Sequence, residues 1–152
     1  MLYFEDFTEG QILDLGTCSL SEDQIVAFAR QFDPQPFHVD AQAAAASHFG
    51  GIVASGWHTC AMLMRQMVDN LLLKSACHGS PGVDEIRWRV PVRPGDVLRT
   101  QMKVIQTTPS RSRPDRGVVR CQYEAWNQNG ECVVTMEALS MFGRRPPQPT
   151  SD

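Results

Sequence analysis

The chain has 152 residues, 42% of them hydrophobic and 20% charged, with a formal net charge of −3. That length suits one domain able to bury about two thirds of its unfolded surface, and the composition is too apolar for disorder. With 14 basic against 17 acidic residues, no positive field exists to attract nucleic acid or an anionic membrane, so neither is expected as a partner.

Met1 to Phe7 carries early acids and neither a basic stretch nor a long apolar run, which excludes a signal peptide. Gln11 to Leu20 alternates enough to suggest an opening strand. Ser21 and Gln24 form a capping-box pattern ahead of Ile25, Val26, Phe28, Ala29 and Phe32 at helical spacing. That helix should end at Phe32 or Asp33, because Pro34 follows. Between Asp33 and His38 lie two prolines, which predict a stiff extended loop holding a carboxylate and an imidazole near one point. Asp33 and His38 are therefore a candidate acid/base pair. The same spacing also suits a solvated helix exit whose Asp and His bond only nearby backbone.

Asp40 is a plausible N-cap for a short helix from Ala41 to His48, ending near Gly50-Gly51. Ser55-Gly56 opens a stronger helical run reaching Leu73, with apolar residues around most of its circumference, as in a helix buried on several sides. Arg65, Gln66, Asp69 and Asn70 interrupt it, so it cannot span a membrane. Beyond Gly82 the period becomes two. Ile86, Trp88, Val90 and Val92 mark a half-buried strand, Pro91 to Asp96 a turn, and Val97 to Gln106 the next strand. After a polar loop from Thr107 to Gly117, Val119, Cys121, Tyr123 and Ala125 share one face of a further strand. Asn129-Gly130 signals a type I′ hairpin, and Cys132, Val134, Met136 and Ala138 face inward on the returning strand. The domain is expected over residues 1–143, with 144–152 as a mobile tail.

The five cysteines, Cys18, Cys60, Cys77, Cys121 and Cys132, form no CxxC pair or Cys/His cluster. Neither a metal site nor a disulfide framework is expected. Scattered apolar cysteines fit a reducing compartment, which points to the cytoplasm. One long buried helix with about five antiparallel strands describes an α+β domain whose sheet wraps a central helix. A single such sheet leaves an open edge, so a homodimer or a multiple of dimers is expected.

Three segments carry a family resemblance. Asp33-Pro34-Gln35-Pro36-Phe37-His38-Val39-Asp40, then Phe49-Gly50-Gly51-Ile52-Val53-Ala54-Ser55-Gly56, resemble the MaoC-like dehydratases and (R)-specific enoyl-CoA hydratases. Ile86 to Asp96 is similar to that family's strand and turn after the central helix. The resemblance implies a hotdog fold and an acyl-CoA thioester substrate. It also implies addition of water across a 2-enoyl-CoA double bond, or its removal from the 3-hydroxyacyl-CoA. Asp33 and His38 match the family's catalytic pair, and Gly56 the glycine whose N–H meets the thioester carbonyl. Coenzyme A would be part of the substrate, with no metal or redox cofactor required.

Two positions depart from the family pattern: Gln35 stands where Asn is usual, and Met64 where the (R)-hydratases carry a serine. A hotdog thioesterase is the alternative enzyme, although such enzymes place an acid on or beside the central helix and here that helix offers only Asp69. A non-catalytic acyl-CoA-binding module is the other alternative. His48 and His58 read as packed or solvent-facing histidines. Trp57, Trp88 and Trp126 read as core, interface or pocket wall. Met62, Met64 and Met67 read first as core. Arg87, Arg89 and Arg93 suit either coenzyme-A phosphates or an exposed strand face. The mostly apolar helix start favours an aliphatic acyl group over a dicarboxylic one.

Overall fold

Strict alternation along β4 (Arg116–Trp126) buries Val119, Cys121, Tyr123 and Ala125 on one face and makes this strand the centre of the sheet. The computed structural model describes residues 1–147. In it β4 pairs antiparallel with β3 (Val97–Pro109) and β5 (Cys132–Gly143), while β1 (Ile12–Ser19) and β2 (Gly82–Trp88) form the two edges, giving the order β1-β3-β4-β5-β2. The long helix α4 (Gly56–Asn70) turns Leu63 and Met67 onto that face, where they join Met102, Val104, Tyr123 and Phe142 in one core. Each such side chain contributes roughly 1.5–3 kcal/mol on burial. A five-stranded antiparallel sheet wrapped on one helix is the hotdog architecture that the resemblance implied.

The remaining helices carry the site. The Ser21–Gln24 capping box opens α1 (Glu22–Phe32). The expected extended loop is instead a single helical turn, α2 (Pro36–Val39), because Pro36 at its first position has a φ suited to helix and no N–H to leave unpaired. Asp40 caps α3 (Ala41–Ala46), which stops short of the expected His48 as the Ser47 hydroxyl donates to Ala44 O at 2.6 Å.

Helix α4 ends at Asn70, three residues before the expected Leu73, and a 3₁₀ turn over Leu72–Lys74 follows. There the Asn70 amide donates to Leu15 O at 2.7 Å, beside a bulge where Gly16 takes φ +85°. The β4–β5 connection is also not type I′. Asn129 has negative φ and only Gly130 is left-handed, at φ +75°, because Asn127 Oδ1 accepts the N–H groups of Asn129 and Glu131 and sets a type I turn followed by glycine.

Strand β2 lies earlier than expected, ending at Trp88, and of its residues only Ile86 is partly buried. It bonds to β5 alone, so its outer edge and most of its side chains face out. Part of the segment expected as tail, 148–152, lies outside the described residues; Arg144 and Arg145 pair with Glu5 and Asp6. Among the described residues no helix is long and apolar enough to cross a membrane.

Candidate active site

Asp33 terminates α1: its N–H still donates to Ala29 O at 2.8 Å, but its own backbone has left the helical region. Pro34 blocks continuation, and Pro36 then starts α2, so one helical turn folds His38 back over Asp33. The His38 ring is buried, and its Nδ1 lies 2.6 Å from Val53 O. A carbonyl only accepts, so Nδ1 carries a proton, and in the neutral ring Nε2 keeps the lone pair. That Nε2 lies 3.3 Å from Asp33 Oδ2.

Both oxygens of Asp33 receive donors. Ser55 Oγ donates to Oδ2 at 2.7 Å and Gln35 Nε2 donates to Oδ1 at 2.8 Å. Burial acts to raise the Asp33 pKa, but the bonds from Ser55 and Gln35 and the charge of His38 outweigh it and hold the carboxyl below its ordinary value. With the ring neutral, the pair sets a carboxylate oxygen and the Nε2 lone pair side by side, two acceptors within reach of one water molecule; with the ring protonated, the same 3.3 Å contact is an ion pair.

They face a cavity of about 520 Å³, walled chiefly by Phe37, Phe49, Trp57, Trp88, Val92 and Val133. Gly56 and Thr59 bring the first turn of α4 into the same lining. The N–H groups of His58 and Thr59 both turn to Ser55 O, while those of Gly56 and Trp57 have no helical acceptor. A Cβ at Gly56 would stand 2.5 Å from the Trp88 ring, whose Nε1–H donates to Gly56 O at 2.9 Å. Glycine is thus required there for the indole to lie against the helix start.

A family model described as a MaoC-like domain matches residues 7–127. The chain belongs to the MaoC-like domain family. A MaoC-like dehydratase from Rhodospirillum rubrum superposes with a TM-score of 0.89 at 44% identity, covering 97% of this chain and all of that one. The (R)-hydratase PhaJ1 of Pseudomonas aeruginosa, without ligand, superposes at 0.77 with 26% identity over 99% and 96% of the two chains. A 3-hydroxybutyryl-CoA dehydratase of Methylorubrum extorquens is 29% identical over 114 residues, 74% of this chain and 70% of that protein.

In this MaoC-like domain, Asp33, His38 and Gly56 all reach one cavity, although α1, α2 and α4 supply them separately. Gln35, the departure from Asn, still ties its amide to Asp33. Met64 is neither core nor cavity wall; it lies two turns beyond Gly56 and is 45% exposed. Its neighbours in the helical series behave differently, with Met67 buried and Met62 partly so. His58 is packed, stacked on Phe28 with centroids 4.3 Å apart. Of the three arginines, Arg87 pairs with Glu85, Arg93 donates to Phe49 O at 2.7 Å and so braces a cavity wall, and Arg89 lines the cavity.

Sequence reasoning missed Ser55 as more than a helix opener. A serine at an N-cap ordinarily bonds the helix's own amides, and this one does not; its hydroxyl goes to a residue 22 positions away, which no local pattern signals. The alternation that marks Trp88 as core, interface or wall carries no sign that its indole is the partner of Gly56. The glycine itself was the only available signal.

Proposed function

We propose that this MaoC-like domain is a hydratase/dehydratase of 2-enoyl-CoA and 3-hydroxyacyl-CoA thioesters, with Asp33, His38 and Gly56 as its catalytic groups. The observation that carries this is the pairing of an Asp33 carboxylate with a His38 whose Nδ1–H is fixed on Val53 O, beside the Gly56 and Trp57 amides that have no acceptor among the described residues at the start of a 15-residue helix. In hydration, water gives one hydrogen bond to Asp33 Oδ2 and the other to His38 Nε2. Nε2 takes that proton as the water oxygen bonds to the β-carbon. The double-bond electrons move through the α-carbon onto the thioester oxygen, which the Gly56 N–H meets at the positive end of α4. The imidazolium then returns its proton to the α-carbon, the enolate collapses, and water has been added with nothing left over. A donor aimed at the developing oxyanion is worth roughly 10²–10³ in rate. The reaction uses no metal or redox cofactor, and coenzyme A belongs to the substrate.

Aromatic walls support an aliphatic acyl group; faster turnover of mesaconyl-CoA than of crotonyl-CoA would defeat that choice. A thioesterase fits less well, because the acid of the central helix, Asp69, is bound to Arg65 at 2.7 Å at the end far from the cavity. The scattered thiols are all free, which supports a cytoplasmic location. The open edge of β2 supports a homodimer or multiple of dimers, as do Trp57, Trp88 and Val83, each about half exposed around the cavity or along that edge. Sedimentation should give about twice the 17.0 kDa chain mass or a multiple, and a fully active monomer would overturn this assembly. Incubation with crotonyl-CoA tests the chemistry: loss of enoyl absorbance without free thiol is expected. Free thiol would establish a thioesterase, and binding without turnover a carrier module.

A further inference from the structure

Ser55 is wholly buried, yet as the residue before α4 it gives its hydroxyl to none of that helix's amides. Its carbonyl starts the helix by accepting from His58 and Thr59, while its hydroxyl points the other way, to Asp33 Oδ2 at 2.7 Å. The preceding residue is fixed as well, since Ala54 N–H donates to Val92 O at 2.8 Å. Ser55 thus joins two parts that share no element: the carboxylate at the end of α1 and the amide of its own neighbour, Gly56.

We propose that Ser55 is a positioning residue that holds the Asp33 carboxylate and the Gly56 N–H in one frame, so that Asp33 orients the water whose proton goes to His38 Nε2. The inference rests on the hydratase reading for its catalytic consequence, but not for the bond itself. A carboxylate that accepts from a buried hydroxyl is favoured over its acid form, because the acid would forfeit that bond or demand that the hydroxyl turn. The titratable and charged groups facing Asp33 are His38 and, elsewhere in the cavity lining, Arg89; from the side of α4 it meets only the hydroxyl of Ser55, the residue before the helix, and in the lining that of Thr59. Ser55 touches no reacting atom. It acts through Asp33.

Two variants of the full chain separate the hydrogen bond from the packing. Ser55→Ala removes the hydroxyl, and Ser55→Cys fills nearly the same space with a weak donor. Asp33 is titrated in each by carboxyl carbon-13 NMR, and turnover of crotonyl-CoA is measured at pH 7. Both variants should move the Asp33 titration upward and lower kcat by about ten- to a hundredfold, the worth of a hydrogen bond to a charged group, with KM little changed. An unmoved titration, or a cysteine variant equal to wild type in both readouts, would overturn the proposal. If wild type turns over no enoyl-CoA while the titration still moves, the hydratase reading falls and the hold of Ser55 on Asp33 stands.

Discussion

In β4 the residues facing the core, Val119, Cys121, Tyr123 and Ala125, are apolar or aromatic and at most 1% exposed. At the junction of α1, α2 and the start of α4, the buried side chains include the polar His38, Ser55 and Thr59, each tied to another segment or to its own helix by a hydrogen bond, and His58, whose ring is packed without one. The sheet draws its free energy from area removed from water, which is insensitive to direction. The junction is held by bonds that work only at set distances and angles. The stable part of the molecule and the directed part are therefore different residues. Substitutions in one should lower folding stability, and substitutions in the other should lower activity.

The largest expected effect lies at the junction. Asp33→Asn keeps a group able to accept from Ser55 but cannot take a share of charge from the water, and His38→Ala removes the proton carrier. Each should lower kcat by about 10²–10⁴, and the two losses should be far from additive because the pair works as a unit. Asp33→Asn should unfold in urea at nearly the wild-type midpoint. His38→Ala should be less stable by about 1–3 kcal/mol, since Val53 O is left buried without its donor. Retention of more than a tenth of kcat by either variant, a loss below about 1.4 kcal/mol, would refute the assigned roles.

The complementary change is Tyr123→Ala. It empties the centre of the core, fully buried on β4, and should cost about 3–5 kcal/mol of stability. At temperatures where the variant stays folded its kcat should match wild type within a few-fold. A variant that is stable but inactive would break the separation between the two regions.

Gly56→Ala falls between them. A Cβ there meets the Trp88 ring at 2.5 Å, so the indole must swing away and give up its bond to Gly56 O. Overpacking of this kind costs about 1–3 kcal/mol, and here it should also lower kcat, because the displaced ring is part of the cavity wall. Adding Trp88→Val should restore the urea midpoint without restoring kcat. If the single variant is as stable and active as wild type, the indole is not held against the helix as described.

How far the sequence revealed each region follows the same division. Period-two burial in β4 and from Met136 to Phe142 of β5 was readable because it repeats locally, and so was the capping box of Ser21 and Gln24. The start of β5 departs from it, with Cys132 only partly buried and Val133 to Met136 all buried because both faces are covered there. Asp33 and His38 stood out as candidates by their spacing, and Gly56 only through the family resemblance. What brought them together was not readable. The tautomer of His38 depends on Val53, fifteen residues away, and the orientation of Asp33 depends on Ser55, twenty-two away; neither separation leaves a trace in local pattern. Met64 misled for a related reason. Helical spacing assigned it to the core, but α4 is covered on one side only in a single chain, and its exposed face is visible only once the sheet is in place.

The smallest effect concerns a polar group that shares the junction and lacks its pairing. His58 is buried in the first turn of α4 against Phe28, and its Nδ1 has no hydrogen-bond partner among the described residues. Burial lowers its pKa below the ordinary 6.5, and the positive end of the helix acts in the same direction. In the unfolded chain the ring takes up a proton near pH 6.5, whereas in the folded chain it resists until lower pH. Between those two values the unfolded state binds more protons, so stability must fall as pH falls, starting near 6.5. Carboxylates with lowered pKa, Asp33 included, lose their contribution only at more acid pH, which leaves this window to the histidines. Urea midpoints at pH 7.5 and 5.5 should show wild type losing stability, and His58→Phe, which keeps a ring against Phe28, losing less. An equal loss in the two proteins would mean that His58 is not a buried neutral ring, and that the start of α4 admits more water than its packing indicates.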